Sequence, residues 1–346
     1  MTRKPVLALL ATGSLLLTTA CGTGTAGEDT DGDDTISIVA STAIWADVAE
    51  AVVDSERVEV QAVVEGNDAD PHSFEPAAAD MARAAEADII VVGGGGYDAW
   101  LYDSQDESKI IHALPLTAHD HSHDEEGAHD HGEEGHSHDH DHSEEGEHDH
   151  GAEGLSGLES NEHIWYDTSA VTQVAEDIAD RVAELDPEAT ADTAAFTEDL
   201  AGLHERIHDL PAVRVAQTEP IADYILSHSD ISEVTPEGYR ASSLSHSEPT
   251  AADLAQFLEL IEAGDLDLLV YNPQTSTDLT DRIRTAATDA GIPVVEIFET
   301  PQQGENYLDF FHGAVDRLEA AANETDTGSA GDAAAAGAET SVEQAG

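Results

Sequence analysis

Four short segments each offer a metal-ligand side chain in a loop or just past a run that reads as a strand. Asp70-Pro71-His72-Ser73-Phe74-Glu75-Pro76 carries His72 in a loop stiffened by two prolines. Asn161 to Asp167 (NEHIWYD) carries His163 beside Trp165 and Tyr166. Gln217-Thr218-Glu219-Pro220 carries Glu219, and Phe298-Glu299-Thr300-Pro301 carries Glu299. Taken singly, a loop His or Glu is more often ordinary surface than a ligand. Their shared place beyond strand ends groups them. Two imidazoles with two carboxylates form a four-ligand set for zinc or another divalent ion, and the carboxylates neutralise its charge.

Other motifs compete with that reading. His204-Glu205-Arg206-Ile207-His208 is a literal HExxH, the zinc-protease helix motif with Glu as general base. No HxxGxxH continuation follows it, and Ala201, Leu203, Ile207 and Leu210 give the segment an apolar packing stripe. Gly93 to Gly96 lacks the Lys-Ser/Thr of a phosphate loop and reads as a tight strand-to-helix turn. Ser243, Ser245 and His246 lack the G-x-S-x-G frame of a nucleophile elbow.

The elements that must position the four ligands alternate between strand and helix. Thr35 to Ser41, Val58 to Val64 and Asp88 to Val92 read as strands, with helices at Ile44 to Val53 and Ala77 to Ala87. Helices are expected from Thr168 to Leu185 and from Pro187 to Leu210, with Pro187 in the first turn. A second set follows, with strands at Val213 to Gln217, Leu266 to Tyr271 and Pro293 to Phe298. Its helices lie near Thr250 to Ala263, Leu279 to Ala290 and Asn306 to Ala322. Such alternation predicts two α/β lobes, spanning 35–167 and 211–322, joined by a helical connection at 168–210. A ligand would sit in the cleft between them, outside the carboxyl ends of the strands.

Composition changes abruptly at His119. Between His119 and His150 lie eleven of the chain's 19 histidines, with many Asp and Glu and neither Lys nor Arg. Nothing there can form a core, so residues 119–154 read as a disordered, metal-binding loop of the first lobe. The tail 323–346 is Ala, Gly, Thr and Glu without a basic residue and is also expected to be disordered. Overall, 12 Lys+Arg stand against 74 Asp+Glu, which excludes a nucleic-acid binder that works by neutralising phosphates.

Arg3 and Lys4 precede an apolar run from Val6 to Leu17 that ends at Ala20 and Cys21, the chain's single cysteine. A basic start, a short apolar core and a small residue read as an export signal, here 1–21, followed by a solvated tether at 22–34. A cysteine between Ala20 and Gly22 resembles a lipobox, although Leu17 lies four residues before it rather than the usual three. Cys21 is thus expected to carry a lipid anchor that holds the protein outside the cytoplasm on the cell membrane.

The lipobox-like Cys21, EGNDADPHSFEP, ADIIVVGGGGYDAWL, the His/Asp loop, NEHIWYD, AQTEPIADYIL, LDLLVYNPQTST and PVVEIFET occur in one order. That series resembles the zinc/manganese solute-binding lipoproteins of bacterial ABC importers, over roughly Thr35 to Ala322. The resemblance implies two α/β lobes bridged by a long rigid helix, with a metal buried between them. It implies that His72 and His163 are the first two ligands. It places Glu219 where zinc-selective members commonly carry a third His and manganese members a Glu. Glu299 falls near the family's final carboxylate, usually Asp. Implied partners are an ABC permease with its ATPase subunit, and the implied cargo is Zn²⁺ or Mn²⁺. The histidine loop favours zinc, since imidazole suits Zn²⁺ better than Mn²⁺. No catalysis is implied. A surface metal buffer or adhesin, in which only the loop binds metal, is the competing class; deleting residues 119–150 separates the two.

Overall fold

The computed structural model describes residues 35–53, 56–66, 74–117, 155, 157–302 and 304–340, without the side chains of 160 and 326–340. Cys21, His72 and the histidine-rich segment lie outside the described residues.

Two four-stranded, all-parallel sheets organise the chain. The first has the order β2-β1-β3-β4, from Ile36–Thr42 (β1), Val58–Val64 (β2), Ile89–Val92 (β3) and Ile110–His112 (β4). The second repeats that order as β6-β5-β7-β8, from Arg214–Gln217 (β5), Ser232–Glu233 (β6), Leu268–Tyr271 (β7) and Val294–Glu296 (β8). The central strands are apolar on both faces. All four residues of β3 and of β7 are buried, as strands covered by helices on both sides require. In each sheet the chain leaves the first strand to one side and returns on the other. That reversal opens a crevice at the carboxyl ends of β1/β3 and β5/β7.

Helices Ala43–Val52 (α1), Ala78–Glu86 (α2) and Ala99–Tyr102 (α3) belong to the first lobe. The connection is Thr168–Leu185 (α4), 18 residues long, and Ala194–His208 (α5). Asp167 starts α4 by accepting the backbone N–H groups of Ser169 (2.8 Å) and Ala170 (2.9 Å). The second lobe adds Asp223–Ser227 (α6), Glu237–Leu244 (α7), Ala251–Ala263 (α8), Asp278–Asp289 (α9) and Tyr307–Thr340 (α10). One apolar cluster runs from Ile38 and Trp45 through Val174 and Leu200 to Val215 and Phe311, so the connecting helices share a core with both lobes.

Two sequence expectations differ from the structure, and two short strands went unread. The second connecting helix begins at Ala194 rather than Pro187. The backbone before it is held by other groups: Asp186 accepts Glu188 N–H (2.9 Å), and Asp192 donates to Val52 O (2.9 Å). The short edge strands β4 and β6, of three and two residues, gave no recognisable alternation. Where a disordered tail was expected from Asn323, α10 continues to Thr340; its alanine-rich, proline-free sequence suits helix.

Candidate metal centre

Three of the four sequence-predicted ligands converge. Ligand atoms of His163, Glu219 and Glu299 all lie within 4.8 Å of one another, and among the described residues this is the single such group of three. The fourth, His72, lies outside the described residues. His163 is 3% exposed, Glu299 1%, and the Glu219 side chain 15%.

The fold explains the convergence. Glu219 sits two residues past β5 and Glu299 three past β8, both at the carboxyl edge of the second sheet. His163 comes from the segment that enters α4, where a short 3₁₀ turn, Ile164–Tyr166, is pinned on both sides. Tyr307 donates to Trp165 O (2.6 Å) and Tyr166 donates to Phe298 O (2.8 Å). Trp165 is wedged between the rings of His163 (5.3 Å) and Tyr97 (5.0 Å). Tyr97, past β3 of the first sheet, donates its hydroxyl to Glu299 Oε2 (3.3 Å), so both lobes reach the group. Burial, together with the charges of Glu299, Asp98 and Glu219, pushes the Tyr97 phenol well up, which keeps it a donor.

The glycine turn Gly93–Gly96 places Tyr97. Gly94 has φ +81°, and a Cβ there would collide with the Leu114 carbonyl. The turn is held by Asp98, which accepts Gly93 N–H (2.7 Å), Gly94 N–H (3.0 Å) and the Ser41 hydroxyl (2.6 Å).

Both carboxylates are fixed from behind. The Asn272 amide donates one bond to Glu219 Oε2 (2.7 Å) and another to Glu299 Oε1 (2.8 Å). Thr275 donates to Glu219 Oε2 (2.5 Å), and the Glu299 N–H is held by Gln274 Oε1 (2.7 Å). Glu219 therefore turns Oε1 towards His163 Nε2, 3.6 Å away. Burial alone would raise the Glu219 carboxyl, but His163, Thr275 and Asn272 outweigh it and hold the group well below the ordinary carboxylate range. A buried carboxylate, a half-buried one and a buried imidazole make a hard-to-borderline donor set that fits a dication. A cavity of about 380 Å³ reaches Glu219 from the second lobe, walled by Ser243, His246, Thr275, Thr277 and Thr280.

Asn272 and Tyr97 escaped sequence reasoning as site residues. Asn272 was findable, because it follows a predicted strand end as Glu219 does. Tyr97 gave no such signal. The HExxH residues sit elsewhere, on α5. His204 Nδ1 pairs with the Thr168 hydroxyl (3.1 Å), and its ring packs edge-on against His228 (5.0 Å). His204, Glu205 and His208 join no cluster of three metal-ligand groups among the described residues.

A family model described as the periplasmic component A of a zinc-uptake complex matches residues 38–321. The manganese-binding lipoprotein MntA of Halalkalibacterium halodurans is 25% identical over 90% of this chain and 94% of that protein. The zinc-binding lipoprotein AdcA of Streptococcus pneumoniae is 24% identical over 70% of this chain, and the match spans 47% of that longer protein. A crystal structure of ZnuA superposes with a TM-score of 0.53 at 20% identity, covering 84% of this chain and 99% of the other; it shares the fold.

Proposed function

The chain belongs to the family of the periplasmic zinc-uptake component A, and from that membership and the buried ligand group we propose that it captures Zn²⁺ outside the membrane for an ABC importer. It is a metal-binding solute receptor and not an enzyme. The observation that carries the reading is the convergence of His163, Glu219 and Glu299 between the carboxyl edges of the two sheets. His72 is the fourth ligand in this account, binding like His163 as a neutral imidazole. Cys21 carries the lipid anchor. A permease and its ATPase subunit receive the cargo.

Zinc is favoured by the divalent affinity order, which puts Zn²⁺ above Mn²⁺ for nitrogen and oxygen donors, and by the imidazole-rich loop. Manganese is the second reading. A second carboxylate where a third imidazole would make the site softer favours the harder ion, and the manganese-binding relative matches over nearly its whole length. Competition decides between them. The protein lacking residues 119–150 is loaded with one equivalent of Zn²⁺ and dialysed against excess Mn²⁺, then the reverse. Retention of zinc supports the zinc receptor. Retention of manganese against modest zinc keeps the receptor and changes its cargo.

A further inference from the structure

A buried polar chain runs from His163 into α7 and decides which face of the imidazole is offered to the cleft. His163 Nδ1 lies 2.8 Å from Asn161 Oδ1, which also accepts the His163 backbone N–H (2.9 Å). A carbonyl oxygen only accepts, so Nδ1 carries a ring proton, and in the neutral imidazole, the form that binds a metal, Nε2 presents its lone pair. The Asn161 amide is oriented with its oxygen towards His163 by two acceptors on its nitrogen side. Asn161 Nδ2 donates to Pro220 O (2.6 Å) and to Asp223 Oδ2 (2.8 Å).

Asp223 is fully buried and uses all its acceptor positions. Arg240 binds it in a fork, Nη1 to Oδ1 (2.9 Å) and Nη2 to Oδ2 (2.6 Å). Gln217 Nε2 adds a bond to Oδ1 (2.7 Å), and its own amide is oriented by accepting Ala222 N–H (2.9 Å). Glu233 approaches Arg240 at 3.9 Å. Asp223 thus accepts from every one of these partners, and with the Pro220 carbonyl, which only accepts, it disfavours the flipped Asn161 amide.

We propose that Asp223 and Arg240 are positioning residues for metal capture, holding Asn161 so that His163 takes the Nδ1–H tautomer and directs Nε2 at Glu219 and Glu299. The inference rests on the receptor reading above for its consequence, but the tautomer itself is a property of the metal-free protein. Free imidazole prefers the opposite tautomer, so the network selects the minor form. Metal-ligating histidines commonly depend on such a partner at the second nitrogen, and losing it costs about 10- to 100-fold in affinity.

The test uses the full chain. Long-range ¹⁵N–¹H spectra of the metal-free protein, with His163 assigned by its loss in His163→Gln, should show the Nδ1–H form. In the double variant Asp223→Leu/Arg240→Met the forked pair leaves together, and Glu233 keeps its bond from the Thr235 N–H. With circular dichroism unchanged, that variant should shift His163 towards the Nε2–H form and bind Zn²⁺ about 10- to 100-fold more weakly. Asn161→Leu should weaken binding at least as much, and combining it with the double variant should add nothing, because the pair acts only through Asn161. An Nε2–H tautomer in the wild type overturns the proposal. So do additive losses, or an unchanged tautomer in the double variant. A wild type that binds no metal yet keeps the Nδ1–H form refutes the receptor reading and leaves the positioning network supported.

Discussion

Replacing Asn272 by leucine removes the clamp that bridges Glu219 and Glu299 while keeping the branched side-chain shape. Two hydrogen bonds to carboxylates are lost, each worth about 1.5–3 kcal/mol. The clamp also offsets repulsion between the carboxylates. Two ionised groups at the 4.8 Å limit of the cluster repel by about 3 kcal/mol at an effective dielectric of about 20. A bound dication cancels that second contribution, so it burdens only the metal-free protein. At about 2 °C per kcal/mol for a chain of this size, the metal-free midpoint should fall further than the zinc-loaded midpoint, by up to about 6 °C. Differential scanning calorimetry of wild type and Asn272→Leu, without metal and at one fixed free Zn²⁺ concentration, reads the difference. Equal falls in both states would refute the idea that the carboxylates are held together against repulsion for a cation. No fall in either would refute the clamp.

Other consequences are open to direct measurement. Gly94→Ala forces a Cβ into the Leu114 carbonyl at φ +81° and should cost about 3 kcal/mol in chemical denaturation; an unchanged midpoint would mean that the turn is not rigid. Burial and the nearby Glu50, only partly offset by the Tyr307 backbone N–H, raise the Asp47 carboxyl to about 6. The folded protein then binds a proton that the unfolded chain has already lost, so stability declines as pH rises from about 4 to about 6. Asp47→Asn should flatten that decline in thermal melts, and an identical pH profile would count against it. Glu205→Gln should leave zinc binding unaltered and abolish nothing in a peptidase assay, since α5 assembles no metal group; loss of a measurable hydrolysis would reinstate the HExxH reading.

The central elements were legible because burial imposes a pattern. Strands such as β2 (Val58–Val64) and the helix α4 (Thr168–Leu185) have the bounds expected from apolar spacing. Edge strands β4 and β6 were not, since two or three residues carry no period. Pro187 misled because a first-turn proline and a proline in a turn look alike until Asp186 and Asp192 are seen to satisfy the backbone there. Among the converging residues, Glu219 and Glu299 could be named as candidates from type and position after strands, and His163 from its type in a loop. Asn272, just past a strand end, could have been added, but the other side chains that aim them could not. Asn161 and Asp223 are ordinary polar residues in sequence, and only folding shows that the amide and the carboxylate are fixed by several partners at once.

The central claim is one divalent ion held by the cleft, independently of the histidine-rich segment. Metal stoichiometry after exhaustive dialysis, on the protein lacking residues 119–150 and on the same protein with His163→Ala, tests it most directly. One tightly held Zn²⁺ per chain, lost in the His163→Ala variant, is the predicted result. No retained metal in the protein lacking the segment, or equal retention in both, would contradict it.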